Sequence, residues 1–203
     1  MTLKSKNTPL ILGYIVLNYI AFALTNQLPW NFLAKIEITK TGVEFDNPLI
    51  TIGIYLLGLI LCYLFPSSLK HRLVFLRWNN PLPGSRIFTE LIQKDQRISK
   101  QDLIDKYGEL PTMPEEQNQL WYRIYKEKQN DTVILASHGR WLLFRDLLSI
   151  SLILGPLSII LTFVITPPPA SIVYAVSYII LIIVLWISAI NTGNRFACNV
   201  LAR

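Results

Sequence analysis

Residues 147–166 read LLSISLILGPLSIILTFVIT, and none of these side chains carries a full charge. Three further segments share this property, namely Leu10–Thr25, Leu49–Phe65 and Ala170–Ile190. A helix of about 17–25 apolar residues has the length needed to cross the roughly 30 Å hydrocarbon core of a bilayer. Such a helix satisfies its own backbone hydrogen bonds where water is absent. The four segments therefore predict an all-α polytopic membrane protein with four transmembrane helices.

The charged residues are concentrated between the second and third segments. Residues 66–146 hold 23 of the 32 charged residues in this 203-residue chain, of which 52% is apolar. This distribution predicts three parts. Residues 1–65 are an N-terminal transmembrane pair with a short outer loop, residues 66–146 are a small, mainly helical cytoplasmic domain, and residues 147–203 are a transmembrane hairpin with a cytoplasmic tail.

The positive residues predict the orientation of the chain in the membrane. Seventeen of the 19 lysines and arginines fall in the two termini and the charged insertion, and two fall in the loop between the first two segments. Because cytoplasmic loops carry the excess of Lys and Arg, both termini and the insertion are expected in the cytoplasm. The expected location is a plasma membrane, the inner membrane in a bacterium. The net charge of the chain is +6, and its basic residues gather at the ends of the insertion, as Arg72 and Arg77 do. This position favours anionic lipid headgroups over nucleic acid as the binding partner of the positive charge.

Start and stop signals divide the insertion into helices. One helix is expected over about Leu69–Trp78, and another from Ser85 or Gly84 to about Lys94. Ser99 is typical of a helix N-cap, and Gly108 of a helix end. A further helix, capped by Thr112 with Pro114 in its first turn, is expected to bury one stripe of side chains. This stripe comprises Leu120, Trp121, Ile124 and Tyr125.

The expected helix boundaries near the C-terminus follow the same signals. Asn130-Asp131 begins a helix that runs into the third span, and Pro167-Pro168-Pro169 forms the turn to the fourth. The fourth span is expected to end at Ile190-Asn191. Its uninterrupted apolar run, Ile179–Ile187, indicates a helix that faces lipid on most sides.

Small and weakly polar residues recur at helical spacing within the first three spans. This spacing places each set along one helix face. Such rows pack helices closely in lipid; the alternative is a water-filled path in an oligomer. Asn18 is the most informative member, because an unpaired amide in hydrocarbon is costly. The candidate pore or helix-packing residues are Asn18, Thr25, Thr51, Gly58, Ser151, Gly155, Ser158 and Thr162.

No catalytic arrangement is evident in the sequence. It lacks a nucleophile beside a base, a metal-ligand spacing and a phosphate-binding glycine loop, so neither a cofactor nor an enzyme activity is expected. One local cluster is a candidate for contact with a lipid headgroup or phosphate. It comprises His138, Arg140, Arg145 and Asp146, which alternatively serve only to anchor the third span.

The leading hypothesis is a non-enzymatic membrane protein that assembles with itself or in a membrane complex. Its cytoplasmic domain would receive a small ligand or a protein signal and couple it to the helix bundle, with a pore or a membrane-disrupting effector as the output. One alternative is an accessory subunit that anchors a cytoplasmic enzyme at the membrane. Another is an enzyme that acts on lipid headgroups through His138 and the nearby charges.

Overall fold

The computed structural model describes residues 3–27, 53, 56, 60 and 65–203. Most of the predicted outer loop and of the predicted second span, including Thr51 and Gly58, lies outside these residues. The chain forms two compact units. The charged unit comprises residues 1–7, 67–145 and 186–203, and the apolar unit comprises residues 8–66 and 146–185.

Every regular element within the described residues is helical. The α-helices are α1 (Leu3–Gln27), α2 (Ser67–Phe75), α3 (Lys100–Tyr107), α4 (Pro114–Lys128), α5 (Thr132–Ile165) and α6 (Pro168–Leu201). Three of them are long and apolar enough to cross a membrane: α1 over Ser5–Asn26, α5 and α6. The helical fold class is confirmed for the described residues, with three helices that could span a membrane. The predicted second span falls on Leu49–Phe65, of which only residues 53, 56, 60 and 65 are described.

Local signals in the sequence set the ends of α3 and of the two long helices. The Ser99 hydroxyl accepts a hydrogen bond from the Asp102 amide at 3.2 Å, which confirms the predicted N-cap. Gly108 follows α3 with a φ of 82°, a left-handed value that glycine adopts without a steric cost. The proline turn is confirmed as well, since α5 ends at Ile165 and α6 begins at Pro168.

The predicted cap of α4 is wrong. Met113 occupies the N-cap position and makes no side-chain cap hydrogen bond. The backbone carbonyl of Thr112 instead accepts a hydrogen bond from the Gln117 side chain at 2.8 Å. Pro114 lies in the first turn and the predicted stripe of Leu120, Trp121 and Ile124 is buried, as expected, whereas Tyr125 is half-buried.

The segment before α3 is less regular than predicted. It consists of a 3₁₀ turn (Pro83–Arg86), a π turn (Ile87–Leu91) and a second 3₁₀ turn (Ile92–Lys94). The backbone amides of Phe88 and Thr89 donate to Oε1 of Gln117, at 3.1 and 3.4 Å, instead of to carbonyls of an α-helix. The apolar side chains of this segment are nevertheless buried in the core of the charged unit, as the pattern predicts.

The final helix extends beyond the predicted end of the fourth span. The membrane-spanning part is expected to stop at Ile190-Asn191, and α6 continues past these residues to Leu201 as one helix of 34 residues. Its last residues, from Phe196 to Leu201, are all buried within the charged unit. Tertiary contacts of these residues, described below, account for the extension.

Candidate functional site

A pair of hydroxyl groups joins α1 to α5 within the apolar unit. Tyr14 Oη lies 2.6 Å from Ser151 Oγ, and Ser151 Oγ donates to the carbonyl of Leu147 at 2.8 Å. Because the serine proton is directed to that carbonyl, the tyrosine is the donor of the shorter bond. A satisfied hydroxyl pair of this kind holds two helices together where no water competes.

The polar row of α5 is a packing surface in this structure. Ser151, Gly155, Ser158 and Thr162 are all buried. The hydroxyls of Ser158 and Thr162 donate to carbonyls of their own helix, at 3.1 and 2.8 Å. A Cβ atom on Gly155 would lie 2.6 Å from Cε1 of Tyr178, so only glycine permits α5 and α6 to approach this closely.

Two of the candidate pore or helix-packing residues, Asn18 and Thr25 of α1, border a cavity between α1 and α6. The cavity has a volume of about 220 Å³. Asn18 donates to the carbonyl of Tyr14 at 2.7 Å, and Thr25 donates to that of Ala21 at 2.8 Å. The residues that line it are Asn18, Ala21, Thr25, Ala170, Val173, Tyr174, Ser177, Tyr178 and Leu181.

The contribution of α6 to this cavity is a feature that the sequence reasoning missed. The run Ile179–Ile187 does expose most of its large apolar side chains, as expected for a helix in lipid. However, Tyr174 and Tyr178 are 8% and 4% exposed and face the interior of the unit. The signal was present, because Ser171, Tyr174 and Tyr178 are spaced to share one helix face.

A third hydroxyl group, that of Tyr178, lies beside the pair that joins α1 to α5. It is buried and within interaction distance of the Tyr14 and Ser151 hydroxyls, although its geometry is not that of a regular hydrogen bond to any described residue. The cavity therefore combines a mainly apolar wall with a buried tyrosine hydroxyl at its edge.

The structure describes some contacts of the predicted headgroup residues. His138 Nδ1 lies 3.1 Å from Tyr125 Oη, and its ring stacks on Phe196 at a centroid distance of 4.5 Å. Arg140 is exposed. Arg145 is buried and donates to Nε2 of His71 at 3.3 Å. Asp146 is also buried and belongs to the apolar unit, whereas the other three belong to the charged unit.

Four side chains of the charged unit bind the last turns of α6, and we call these interactions the helix-end contacts. Two of them reach backbone carbonyls: Trp121 Nε1 donates to Ala197 at 3.0 Å and Lys128 Nζ to Val200 at 3.2 Å. The other two reach asparagine side chains, from Arg86 to Asn194 at 3.4 Å and from Arg97 to Asn199 at 3.0 Å.

The helix-end contacts surround an aromatic cluster centred on Phe196. The rings of Trp121 and Tyr125 meet Phe196 edge-on, both at centroid distances of 5.6 Å, and His138 stacks on it. Partial burial lowers the pKa of Lys128 from its usual value and raises that of Tyr125. The cationic end of Lys128 lies near the helix C-terminus, where the helix dipole favours positive charge.

Within the part of the chain that the structure describes, no group of three or more His, Cys, Asp or Glu residues is arranged to hold a metal ion. In comparisons with known proteins, the chain matches no family model, no curated protein and no solved structure.

Proposed function

We propose that this chain is a non-enzymatic integral membrane protein in which the charged unit receives a signal and passes it to the membrane helices. In this proposal the charged unit lies in the cytoplasm, binds a small ligand or a protein partner, and acts on an oligomeric helix bundle. The output is a conducting or membrane-disrupting pore. The observation that carries the proposal is the continuity of α6 from the apolar unit into the helix-end contacts.

The helix-end contacts supply the means of coupling. They involve donors from four separate positions between residues 86 and 128, and all four bind within residues 194–200. A ligand or partner that rearranges this part of the charged unit changes the positions of these donors. Because α6 is a single helix, such a change acts directly on residues 168–185, which belong to the apolar unit. A ligand shifts such an equilibrium only by its difference in affinity for the two states.

The surroundings of His138 favour this proposal over an enzyme. A general base must reach the proton that it removes from a substrate. Nδ1 of His138 lies against Tyr125, and one face of its ring is covered by Phe196. A structural role in the aromatic cluster accounts for this arrangement without a substrate.

A membrane-anchoring accessory subunit is the alternative that one observation favours. Met113 and Tyr122, at the start and in the middle of α4, are 58% and 49% exposed. Exposed methionine and tyrosine side chains are typical of protein interfaces. This alternative predicts a stable complex with a second protein and no ion flux from the chain alone.

The proposed coupling is tested by changing a residue of the charged unit and measuring the accessibility of a residue in the apolar unit. Ser177, an exposed residue of the cavity wall, is replaced by cysteine in a full-length chain whose own cysteines are alanine, and the thiol modification rate is measured in nanodiscs. Trp121→Phe removes the indole donor to Ala197 and is expected to change this rate several-fold. Tyr122→Phe, on the exposed side of the same helix, is the matched control. Equal rates for the two variants would overturn the coupling.

The output is tested separately in liposomes. A pore predicts a closed ring of protomers, ion flux, and loss of that flux in Asn18→Leu, where an apolar side chain replaces the amide at the cavity. Ser158→Leu is expected to abolish flux as well, by displacing α5 from its packing surface. A monomer without flux, together with a co-purifying partner protein, would favour the accessory subunit.

A further inference from the structure

The turn that follows α2 exposes two large apolar side chains. Leu76 and Trp78 are 65% and 74% exposed, while Val74 and Phe75, directly before them, are buried. We call residues 76–78 the Leu76–Trp78 turn. Isolated exposed apolar residues are common, but two of them within three residues, with an arginine between, form a distinct surface.

The backbone of this turn is held in an unfavourable conformation. Leu76 has a φ of 49°, in the left-handed region, where a residue with a Cβ atom is disfavoured by about 1–2 kcal/mol. The residues before it are fixed, because Trp186 Nε1 donates to the carbonyl of Val74 at 2.7 Å. The Phe75 ring packs beside Trp141 at 5.5 Å. The chain thus buries Phe75 and then reverses so that Leu76 points outward.

Cationic groups accompany the exposed side chains. The Arg72 guanidinium lies over the Trp78 ring, 5.6 Å from its centroid. Arg77 is half exposed and lies 3.8 Å from Glu90, a distance at which an exposed pair contributes little. Glu90 also lies 3.5 Å from Arg86, so its charge is shared between two arginines. Tryptophan and arginine side chains are typical of the part of a membrane protein that meets the membrane–water interface. There the tryptophan ring lies among the lipid headgroups and the arginine binds phosphate.

The position of the turn in the chain places it within reach of lipid. The predicted second span ends at Phe65, and α2 begins at Ser67. Leu76 therefore follows the predicted end of that span by only eleven residues along the chain. We propose that the Leu76–Trp78 turn is a binding surface for anionic phospholipids, with Leu76 and Trp78 inserted among the headgroups and Arg72 and Arg77 bound to their phosphates. This surface is independent of the coupling proposed above.

The test uses the full chain, one copy per nanodisc, with Cys62 and Cys198 replaced by alanine. Leu76→Cys carries an environment-sensitive fluorophore, and discs of phosphatidylcholine are compared with discs that contain phosphatidylglycerol. We expect a blue shift of the emission in the anionic discs and quenching by lipids brominated near the headgroup. The matched control is Lys100→Cys, an exposed position on α3, which should show neither effect.

A second variant separates lipid binding from folding. Arg72→Gln combined with Arg77→Gln should abolish the dependence on phosphatidylglycerol and leave the melting temperature in detergent unchanged, because both side chains are exposed. Identical emission in the two lipids, without quenching, would overturn the proposal. A blue shift that appears only when each disc holds two chains would also overturn it, in favour of contact with a second copy.

Discussion

Replacing Gly155 by alanine tests the close approach of α5 to α6. The added Cβ would lie 2.6 Å from Cε1 and 3.0 Å from Cδ1 of Tyr178, and 3.3 Å from Cδ1 of Ile182. Carbon atoms in ordinary contact are about 3.5–4.0 Å apart, so the tyrosine ring must move by roughly 1 Å. Because Tyr178 is itself buried, this movement displaces further neighbours.

The magnitude follows from two opposing effects. Alanine is favoured over glycine within a helix by about 1 kcal/mol. Adding a carbon to a filled interior costs about 1–3 kcal/mol. Gly139→Ala is the matched control, because Gly139 lies on the same helix and no atom comes within 4 Å of its added Cβ. Gly155 also directly precedes Pro156 in the helix, where a Cβ atom is disfavoured by the proline ring. Gly155→Ala is therefore expected to be less stable than Gly139→Ala by at least about 1–3 kcal/mol, and the double variant described next isolates the part that comes from Tyr178.

The assay is unfolding of the purified full chain in mixed micelles of a mild detergent and dodecyl sulfate, followed by circular dichroism. Combining Gly155→Ala with Tyr178→Ala removes the ring that the new methyl group meets. The two changes should therefore be strongly non-additive, as expected for residues in contact. Equal stabilities of Gly155→Ala and Gly139→Ala, or additive effects in the double variant, would refute the reasoning.

Three further predictions concern the charged unit. Ser99→Ala should destabilise the protein by about 1 kcal/mol through loss of the α3 cap, measured by denaturation; an unchanged midpoint would contradict the cap. Two hydrogen bonds from the Arg97 guanidinium hold the pKa of Asp95 below its usual 3.8. The ion pair therefore adds to the free energy of unfolding above pH 3.8, and this contribution is lost as the pH falls through the lower pKa of the folded state. Asp95→Asn should remove this part of the pH dependence of stability. An acid denaturation profile identical to that of the unmodified chain would show that the pair contributes nothing. Gln117→Leu should cost about 1–3 kcal/mol, because the buried amide of Phe88 loses its acceptor, and a denaturation curve like that of the unmodified chain would contradict this role.

Local signals predicted most of the helices because they act over three or four residues. The hydroxyl of Ser99 and the left-handed Gly108 define α3 without help from the rest of the chain. Runs without charge likewise define the apolar parts of α5 and α6. In these places local preference and tertiary structure agree, which is the usual property of sequences that fold to one structure.

Local patterns do not predict hydrogen bonds that the backbone makes with side chains distant in the sequence. Gln117 binds the amides of Phe88 and Thr89, 29 and 28 residues away, and the expected α-helix becomes 3₁₀ and π turns. The span is predicted to end at Ile190-Asn191, but its spacing does not show that Trp121 and Lys128 bind backbone carbonyls of the helical turns beyond it. The spacing of residues within a single segment does not predict these long-range hydrogen bonds.

The candidate site was predicted only in part, for a related reason. The polar rows on α1 and α5 were found by their spacing, but spacing alone does not distinguish a packed surface from an open one. The close approach of Gly155 to Tyr178 is likewise a contact that spacing within one helix does not predict. His138 and Arg145 lie seven positions apart on one helix and are grouped by sequence, but their hydrogen-bond partners Tyr125 and His71 come from α4 and α2, which no local spacing predicts.

The length of the last two helices has a consequence for their response to the lipid itself. At 1.5 Å per residue, the 34 residues of each helix extend over about 51 Å, against a hydrocarbon thickness of roughly 30 Å. In a bilayer that these helices span, the water–lipid boundary would therefore fall within a continuous helix. A helix adapts to a thinner or thicker bilayer by changing its tilt, so its charged end must tilt with it. Bilayer thickness alone is therefore expected to alter the geometry around Phe196.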